Sequence, residues 1–361
     1  MTLHKCFLSV VVLVAVGTVV PSTVFPSVKA QDDSPTLEQY QQQWTELSEK
    51  LSTLEKKIST GDEADKAQTE YKKLAEQSEK IVAGIEASAK RALEADRTSS
   101  TAIRALMGLA VKAAEKNQDA KTLAIGDYLI GKGINPKYFE IAAKIESLSI
   151  EQKEIFDELL IRQKEALAND LPRVELTTTK GTVVVELFEN EAPGTVGNFV
   201  SLVEKGYYDD MLFHRVLEGF MAQTGGYKLD KDNQETGGEG PGYQIKCECY
   251  EPDFRKHFTG SLSMAKKPNQ KDSGGSQLFI TLQRTQFLDG EHTVFGRILS
   301  GGDVMELLER THVEGRGGEV PIAEVLKDKI VSAKVLRKRA HKYQPEVAKG
   351  GKSKSKQAVA E

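Results

Sequence analysis

The side chains of this 361-residue chain that could do chemistry concentrate in its second half. Phe213-His214-Arg215-Val216-Leu217-Glu218-Gly219-Phe220-Met221-Ala222-Gln223 comes first, followed by Gly260-Ser261-Leu262-Ser263-Met264-Ala265. Gly275-Ser276-Gln277-Leu278-Phe279-Ile280 and Phe287-Leu288-Asp289-Gly290-Glu291-His292-Thr293-Val294-Phe295-Gly296 complete the series. Templates for bond-breaking chemistry fail along the chain. Gly351-Lys352-Ser353 ends as a phosphate-binding loop ends, but Glu346 stands where its first Gly belongs. The run Gly237-Gly238-Glu239-Gly240-Pro241-Gly242 leads into no helix and is interrupted by Pro241, so it reads as a surface loop. Gly274-Gly275-Ser276-Gln277-Leu278 lacks the closing Gly of a nucleophile elbow. No HExxH occurs. Nucleophilic and metal-assisted hydrolysis both lack their parts.

In order and spacing, the four blocks resemble the cyclophilin family of peptidyl-prolyl cis/trans isomerases, over about Pro172 to Ala340. The resemblance implies an eight-stranded antiparallel β-barrel closed by two helices, with the active site on the outer wall. Rotating an X–Pro bond means crossing a resonance barrier of about 18–20 kcal/mol. No bond breaks, so neither nucleophile, metal nor cofactor is required, and none is expected. What helps is an apolar cup for the ring, a donor that stabilises the twisted imide, and groups that hold the flanking chain. By the resemblance, Phe220, Met221, Phe279 and Leu288 make the cup, and Arg215 is the catalytic donor. Gln223 and Gln277 bind substrate backbone, Ala265 and Lys266 line the groove, and Phe287 and His292 stand at the pocket rim. Taken singly, Phe220, Met221 and Phe279 suit a core as well as a pocket, and His214 suits a structural role. The joint pattern favours the site for Arg215 and the cup.

Several positions depart from the commonest family pattern. Phe287 stands where many members have Trp, which implies weak or no cyclosporin binding with catalysis retained. Glu218 replaces a Pro, and Leu278 a Phe. Lys266-Lys267 replace small or amide residues, which raises local charge and suggests a preference for acidic residues flanking the substrate proline.

The elements that must position these residues begin with a hairpin. Val174–Thr178, a Lys180-Gly181 turn and Thr182–Phe188 alternate as paired strands do, and Val196–Glu204 is amphipathic at helical spacing. Short β-prone runs between Gly-rich turns then continue, as in a barrel or a sandwich. Upstream the period is helical. Leu37, Tyr40, Trp44, Leu47, Leu51, Leu54 and Ile58 form a heptad seam, and Gly61-Asp62 supplies a stop and the next N-cap. Ala67, Tyr71, Leu74, Ser78, Ile81, Ile85 and Leu93 make a second stripe, predicting an antiparallel, coiled-coil-like hairpin over 37–95. Shorter helices are expected at Thr101–Lys116, Ala120–Gly131, Pro136–Ser147 and Ile150–Ala168. Trp44-x-x-Leu47 resembles the opening of a tetratricopeptide repeat, but no 34-residue repeat follows, and an irregular helical bundle is the favoured reading.

The fold class is therefore multidomain α plus β: a helical hairpin and bundle at 31–170, then a cyclophilin-like barrel at 172–340. His4 and Lys5, an apolar run from Cys6 to Val20 and Val28-Lys29-Ala30 read as a secretory signal peptide over 1–30, cleaved after Ala30. A periplasmic or other extracytoplasmic location follows, or, if the segment is uncleaved, a membrane-anchored one. The formal net charge is −4, so no nucleic-acid partner is expected. Residues 341–361 read as a basic disordered tail. Cys247 and Cys249 would lie roughly 6.6 Å apart in an extended chain, so they read as two free, partly buried thiols without an internal bridge. The expected partners are proline-containing polypeptides, and a second copy through the helical seam is one the pattern allows. Two functions fit: an exported isomerase that assists protein folding, or an exported chaperone whose helices bind clients while the barrel only recognises proline segments.

Overall fold

The structure is a computed structural model that describes residues 34–348, apart from Asp62, Glu239, Arg316 and Gly317. The expected signal segment, with Cys6, and the last part of the expected tail lie outside the described residues. The chain divides into two compact units at Leu167/Ala168. Among the described residues, no helix is long and apolar enough to cross a membrane.

The first unit is helical: α1 Leu37–Thr60, α2 Ala64–Ala95, α3 Ser100–Glu115, α4 Asp119–Gly131, α5 Lys137–Ala142 and α6 Ile150–Ala168. Thr36 and Gln39 form a reciprocal capping box at the start of α1, satisfying amides that helical geometry leaves free. Gly61 ends α1 in the left-handed conformation at φ 77°, and Glu63 is the N-cap of α2, while Asp62, the expected cap, lies outside the described residues. The seam buries Leu37, Leu47, Leu51 and Leu54 against the α2 stripe of Ala67, Ile81, Ile85, Ala89 and Leu93. The antiparallel register shows in Tyr71, whose hydroxyl donates to Glu55 at 3.0 Å, and in Gly84, which leaves room for the Tyr40 ring. The Lys112 ammonium of α3 caps the Trp44 ring at 3.7 Å from its centroid. The helix expected over Pro136–Ser147 stops at Ala142. Beyond it the chain tightens into i→i−3 turns, Lys144 bonding to Ile141 and Ile145 to Ala142, which directs Leu148 into the interior.

The second unit contains β1 Arg173–Thr178, β2 Gly181–Leu187, α7 Pro193–Glu204, β3 Met211–Leu212, β4 Arg215–Leu217, β5 Met221–Thr224, β6 Tyr227–Leu229 and β7 Glu235–Gly237. It continues with β8 Ser261–Met264, β9 Leu278–Thr281, a 3₁₀ turn Gln286–Leu288, β10 Val294–Ser300, α8 Asp303–Glu306, β11 His312–Gly315, β12 Gly318–Pro321 and β13 Lys329–Arg337. The main sheet runs β3-β13-β1-β2-β10-β8-β9-β5-β4, every pair antiparallel. Strands β3 and β4 are separated only by Phe213 and His214, so one run of chain carries both ends of the sheet. Taken as one strand, they complete the eight strands of a curled barrel. The interior holds Val174, Leu176, Val183, Val185, Val216, Ala222, Leu262, Leu278, Ile280 and Phe295. Both expected helices contribute to it, α7 through Val196, Phe199 and Val200, and the single turn of α8 through Val304 and Met305. Ribbons β6–β7 and β11–β12 stand outside the main sheet.

The tail expected to be disordered from 341 instead follows the barrel as far as Ala348. Tyr343 is buried and donates to Glu189 at 2.7 Å, Val347 bridges to Ile245, and Ala348 N–H donates to Gln244. One buried aromatic ring and two backbone pairings outweigh the polar composition of that stretch.

Gly225 stands at φ +84°, and a Cβ there would sit 2.2 Å from the Ser276 carbonyl oxygen. Gly225→Ala combines left-handed strain with a backbone clash, for a loss of about 2–5 kcal/mol. A lowered barrel transition in thermal unfolding followed by circular dichroism is the expected result.

Candidate active site

Strand alternation decides which side chains leave the barrel interior. In β4 the centre residue Val216 points inward, so Arg215 and Leu217 point outward; in β5 Ala222 and Thr224 face in, and Met221 and Gln223 face out. The turn between them, Glu218-Gly219, depends on Gly219 at φ 64°, a conformation that glycine adopts without cost. Register then aligns the outward set: Arg215 pairs with Gln223, Gln223 with Phe279, and Phe279 with Ser263. One row across four strands thus carries the cation, the amide and the aromatic ring.

The apolar cup forms beside this row. Leu217, Met221 and Phe279 are buried in a cluster separate from the barrel core, with Phe220, Ala265 and Leu288 packed against it. Phe287 is 70% exposed, its ring 5.7 Å from that of Phe220. His292 meets the Phe279 ring edge-on at 5.4 Å. Its Nδ1 lies 2.9 Å from the Met264 carbonyl, which can only accept, so Nδ1 carries the proton and Nε2 is left as the acceptor.

Arg215 is held on two sides. Nη1 donates to Gln223 Oε1 at 3.0 Å and lies 3.8 Å from Met221 Sδ. Gln223 Nε2 donates in turn to Gln277 Oε1 at 2.9 Å. Nε donates to Glu319 Oε2 at 2.6 Å, and Nη2 donates to Glu319 Oε1. The guanidinium also lies 5.7 Å from the centroid of the Phe220 ring. The bond from Arg215 holds the Glu319 carboxyl below the usual carboxylate range. The expected residues therefore assemble in one place, with one difference. Lys266 contributes to the groove through its backbone neighbourhood, Ala265 N–H donating to the Gln277 carbonyl, but its ammonium is 3.6 Å from Glu291 and its side chain only 10% exposed.

Glu319 and a buried network beneath the cup are absent from the sequence reading. His257 Nδ1 and backbone N–H lie 3.0 and 2.7 Å from Asp289 Oδ1, and Arg284 donates to Asp289 Oδ2 at 2.6 Å and to the His257 carbonyl at 2.8 Å. The His257 ring stacks flat on Phe279 at 5.9 Å. This network ties the loop carrying Phe287, Leu288 and His292 to the strand floor. Asp289 lies inside a recognised block; His257 and Glu319 carry no local signal, since their partners are 32 and 104 residues away.

Burial sets the titration of the imidazoles. It lowers His214 to about 4 and is the first cause that holds His257 and His292 below 6.5. As pH falls below 6.5 the unfolded chain takes up protons at these positions before the folded chain does, so stability is lost between about pH 6.5 and 4. The barrel's unfolding temperature should be lower at pH 5 than at pH 7, and His214→Gln should reduce that difference; an unchanged difference would contradict the role given to His214.

Residues 173–335 match the family model described as cyclophilin type peptidyl-prolyl cis-trans isomerase/CLD. A peptidyl-prolyl cis-trans isomerase of Helicobacter pylori is 47% identical over 126 residues, covering 35% of this chain and 71% of that protein. Peptidyl-prolyl cis-trans isomerase B of Bacillus subtilis is 45% identical over 139 residues, covering 36% of this chain and 89% of that protein. Peptidyl-prolyl cis-trans isomerase-like 1 of Aspergillus oryzae is 40% identical over 169 residues, covering 45% and 94%. The helical unit lies outside the residues that the family model matches. On the barrel topology, the outward row of Arg215, Gln223 and Phe279, and relatives matched over most of their length, the chain belongs to the cyclophilin-type peptidyl-prolyl cis-trans isomerases.

Proposed function

We propose that isomerisation works through Arg215 beside the cup of Phe220, Met221, Phe279 and Leu288, on X–Pro bonds of polypeptide substrates. The observation that carries this reading is the Arg215–Gln223–Gln277 chain of hydrogen bonds running along the edge of the apolar cluster. The proline ring occupies the cup, where burial of its methylenes is favourable by about 0.8 kcal/mol each. As the C–N bond twists, resonance is lost and the prolyl nitrogen gains a basic lone pair. A guanidinium N–H donor aimed at that nitrogen interacts more strongly with the twisted state than with either planar isomer, which is the condition for catalysis. Gln223 fixes the guanidinium plane before substrate arrives, so little reorganisation is needed at the barrier. Gln277 and the backbone at Ala265 hold the flanking chain. Phe287 supplies apolar area at the rim without an indole N–H, consistent with weak or absent cyclosporin binding.

Glu319 occupies donors that the substrate would use. It reaches Arg215 from the β11–β12 ribbon, which is secured to β4 by Thr311: its N–H donates to the Val216 carbonyl, and its hydroxyl accepts from Val216 N–H at 2.8 Å. The pair is about one-third exposed on both sides, so its strength is that of a surface ion pair, roughly 0–1 kcal/mol.

Exchange NMR on a short X–Pro peptide, with the full chain, tests both assignments. Arg215→Ala should lower kcat/KM by about 100–1000-fold, and Arg215→Lys should not restore it, because a point charge does not reproduce the planar fork. Near-wild-type turnover in a folded Arg215→Ala variant would overturn the mechanism. Glu319→Gln should raise kcat/KM by up to about fivefold, the equivalent of the pair's strength, and should remove a salt-dependent rise expected of the wild type. A lower rate would instead make Glu319 a residue that orients Arg215.

A further inference from the structure

Cys247 and Cys249 stand apart from the isomerase chemistry. Both are free and buried, yet their sulfurs are 2.8 Å apart. The extended geometry expected of a C-x-C segment is absent because the chain turns at this point: Glu251 N–H donates back to the Glu248 carbonyl, bringing both side chains to one side. The backbone around the turn is anchored. Cys247 N–H donates to Asp272 at 2.9 Å, and Glu248 N–H donates to the Thr293 hydroxyl at 2.9 Å. The Glu248 carboxylate accepts from Gly194 and Thr195 N–H at 2.9 and 2.8 Å, at the start of α7. Two sulfurs presented to each other on a pinned backbone need approach by only about 0.8 Å to reach bonding distance.

The two thiols are unequal. Cys247 is the more accessible, at 8% against 1%. A small cleft lined by Ile245, Cys247, Met264, Lys266, Gly274 and Thr293 reaches it, with room for about one water-sized molecule. Its sulfur lies against that of Cys249 and 3.4 Å from the Thr293 hydroxyl. These contacts, with the nearby Lys266 ammonium, lower the Cys247 thiol below its ordinary range, the Cys249 contact contributing most. The same contact, together with burial, pushes Cys249 up. A metal site does not account for the pair: among the described residues no group of three or more His, Cys, Asp or Glu is placed to hold an ion.

We propose that Cys247 and Cys249 form a reversible thiol–disulfide site closed by hydrogen peroxide, Cys247 being the attacking sulfur and Cys249 the resolving one. The Cys247 thiolate attacks one peroxide oxygen; the O–O bond breaks, and the departing hydroxide takes up the proton that Cys247 released and leaves as water. Cys247 is then a sulfenic acid. The Cys249 sulfur attacks it, the S–S bond forms and the S–O bond breaks, and the hydroxyl leaves with the Cys249 proton as a second water. Two thiols are oxidised by two electrons and one peroxide is reduced to two waters. The cleft beside Cys247 is narrow, which favours a small oxidant over a bulky disulfide.

Peptide mapping of the full chain tests this without reference to isomerase activity. The reduced protein is treated with hydrogen peroxide, alkylated and cut with trypsin, which releases Cys247–Arg255 as one peptide. The expected peptide is two hydrogens lighter, unalkylated, and restored by dithiothreitol. In Cys249→Ser, Cys247 should be trapped by dimedone as the sulfenic acid. In Cys247→Ser, oxidation of Cys249 should be slower than that of Cys247 in Cys249→Ser, because Cys249 is the more deeply buried sulfur. Alkylation of both cysteines after peroxide, or passage of Cys247 to sulfinic acid with no bridged peptide, would overturn the proposal; so would equal oxidation rates in the two variants.

Discussion

Closing a sheet on itself commits one face of every strand to the interior, and the other face is then available for whatever the register aligns. In this chain the interior face is occupied by Val216, Ala222, Leu278 and Ile280. The outer face of the same strands carries Arg215, Gln223 and Phe279 in one row. Any slip of β5 by one residue would move Gln223 inward and Ala222 outward, abolishing core and site together. The active surface is therefore as stable as the barrel that carries it, and needs no mobile loop to assemble its centre.

Polar networks do for the rim what register does for the floor. His257, Arg284 and Asp289 bind one another under the Phe279 ring, and they attach the loop bearing Leu288 and His292 to the strands. Their burial is tolerable because the charges meet: the three bonds that Asp289 accepts, from the His257 ring and backbone and from Arg284, outweigh its own desolvation and hold its carboxyl down at about 2. On the opposite side of the cup, Glu319 brings a negative charge from a separate ribbon to Arg215. The Arg215 guanidinium thus sits inside an electrostatic balance that residues far along the chain adjust.

Glu248 has a comparable connecting role in the body of the barrel. Its carboxylate caps α7, whose Phe199 and Val200 fill the interior. Its own N–H is bound by Thr293, whose carbonyl accepts from Met264 beside the groove residue Ala265. The cysteines on either side of Glu248 are for this reason fixed in mutual contact.

The sequence by itself determined the division into a helical and a β-rich part, most helix boundaries, and the family; the side chains it proposed as cup, cation and amides are ones that the strands bring together. These depend on short-range pattern: a 3.6- or 2-residue period, a cap, a turn glycine, or a motif whose members lie a few residues apart. Gly61, the Thr36–Gln39 box and the Glu218-Gly219 turn are legible because each acts on its own neighbours. Only the tertiary structure decided that Glu319 faces Arg215, that His257 supports Phe279, that Tyr343 and Val347 draw the start of a polar tail onto the barrel, and that two cysteines assumed to be extended meet at their sulfurs. Each of these depends on contacts between segments far apart in the chain or on a local turn held by such contacts. Burial and long-range hydrogen bonds select among conformations that local composition leaves nearly equal in free energy.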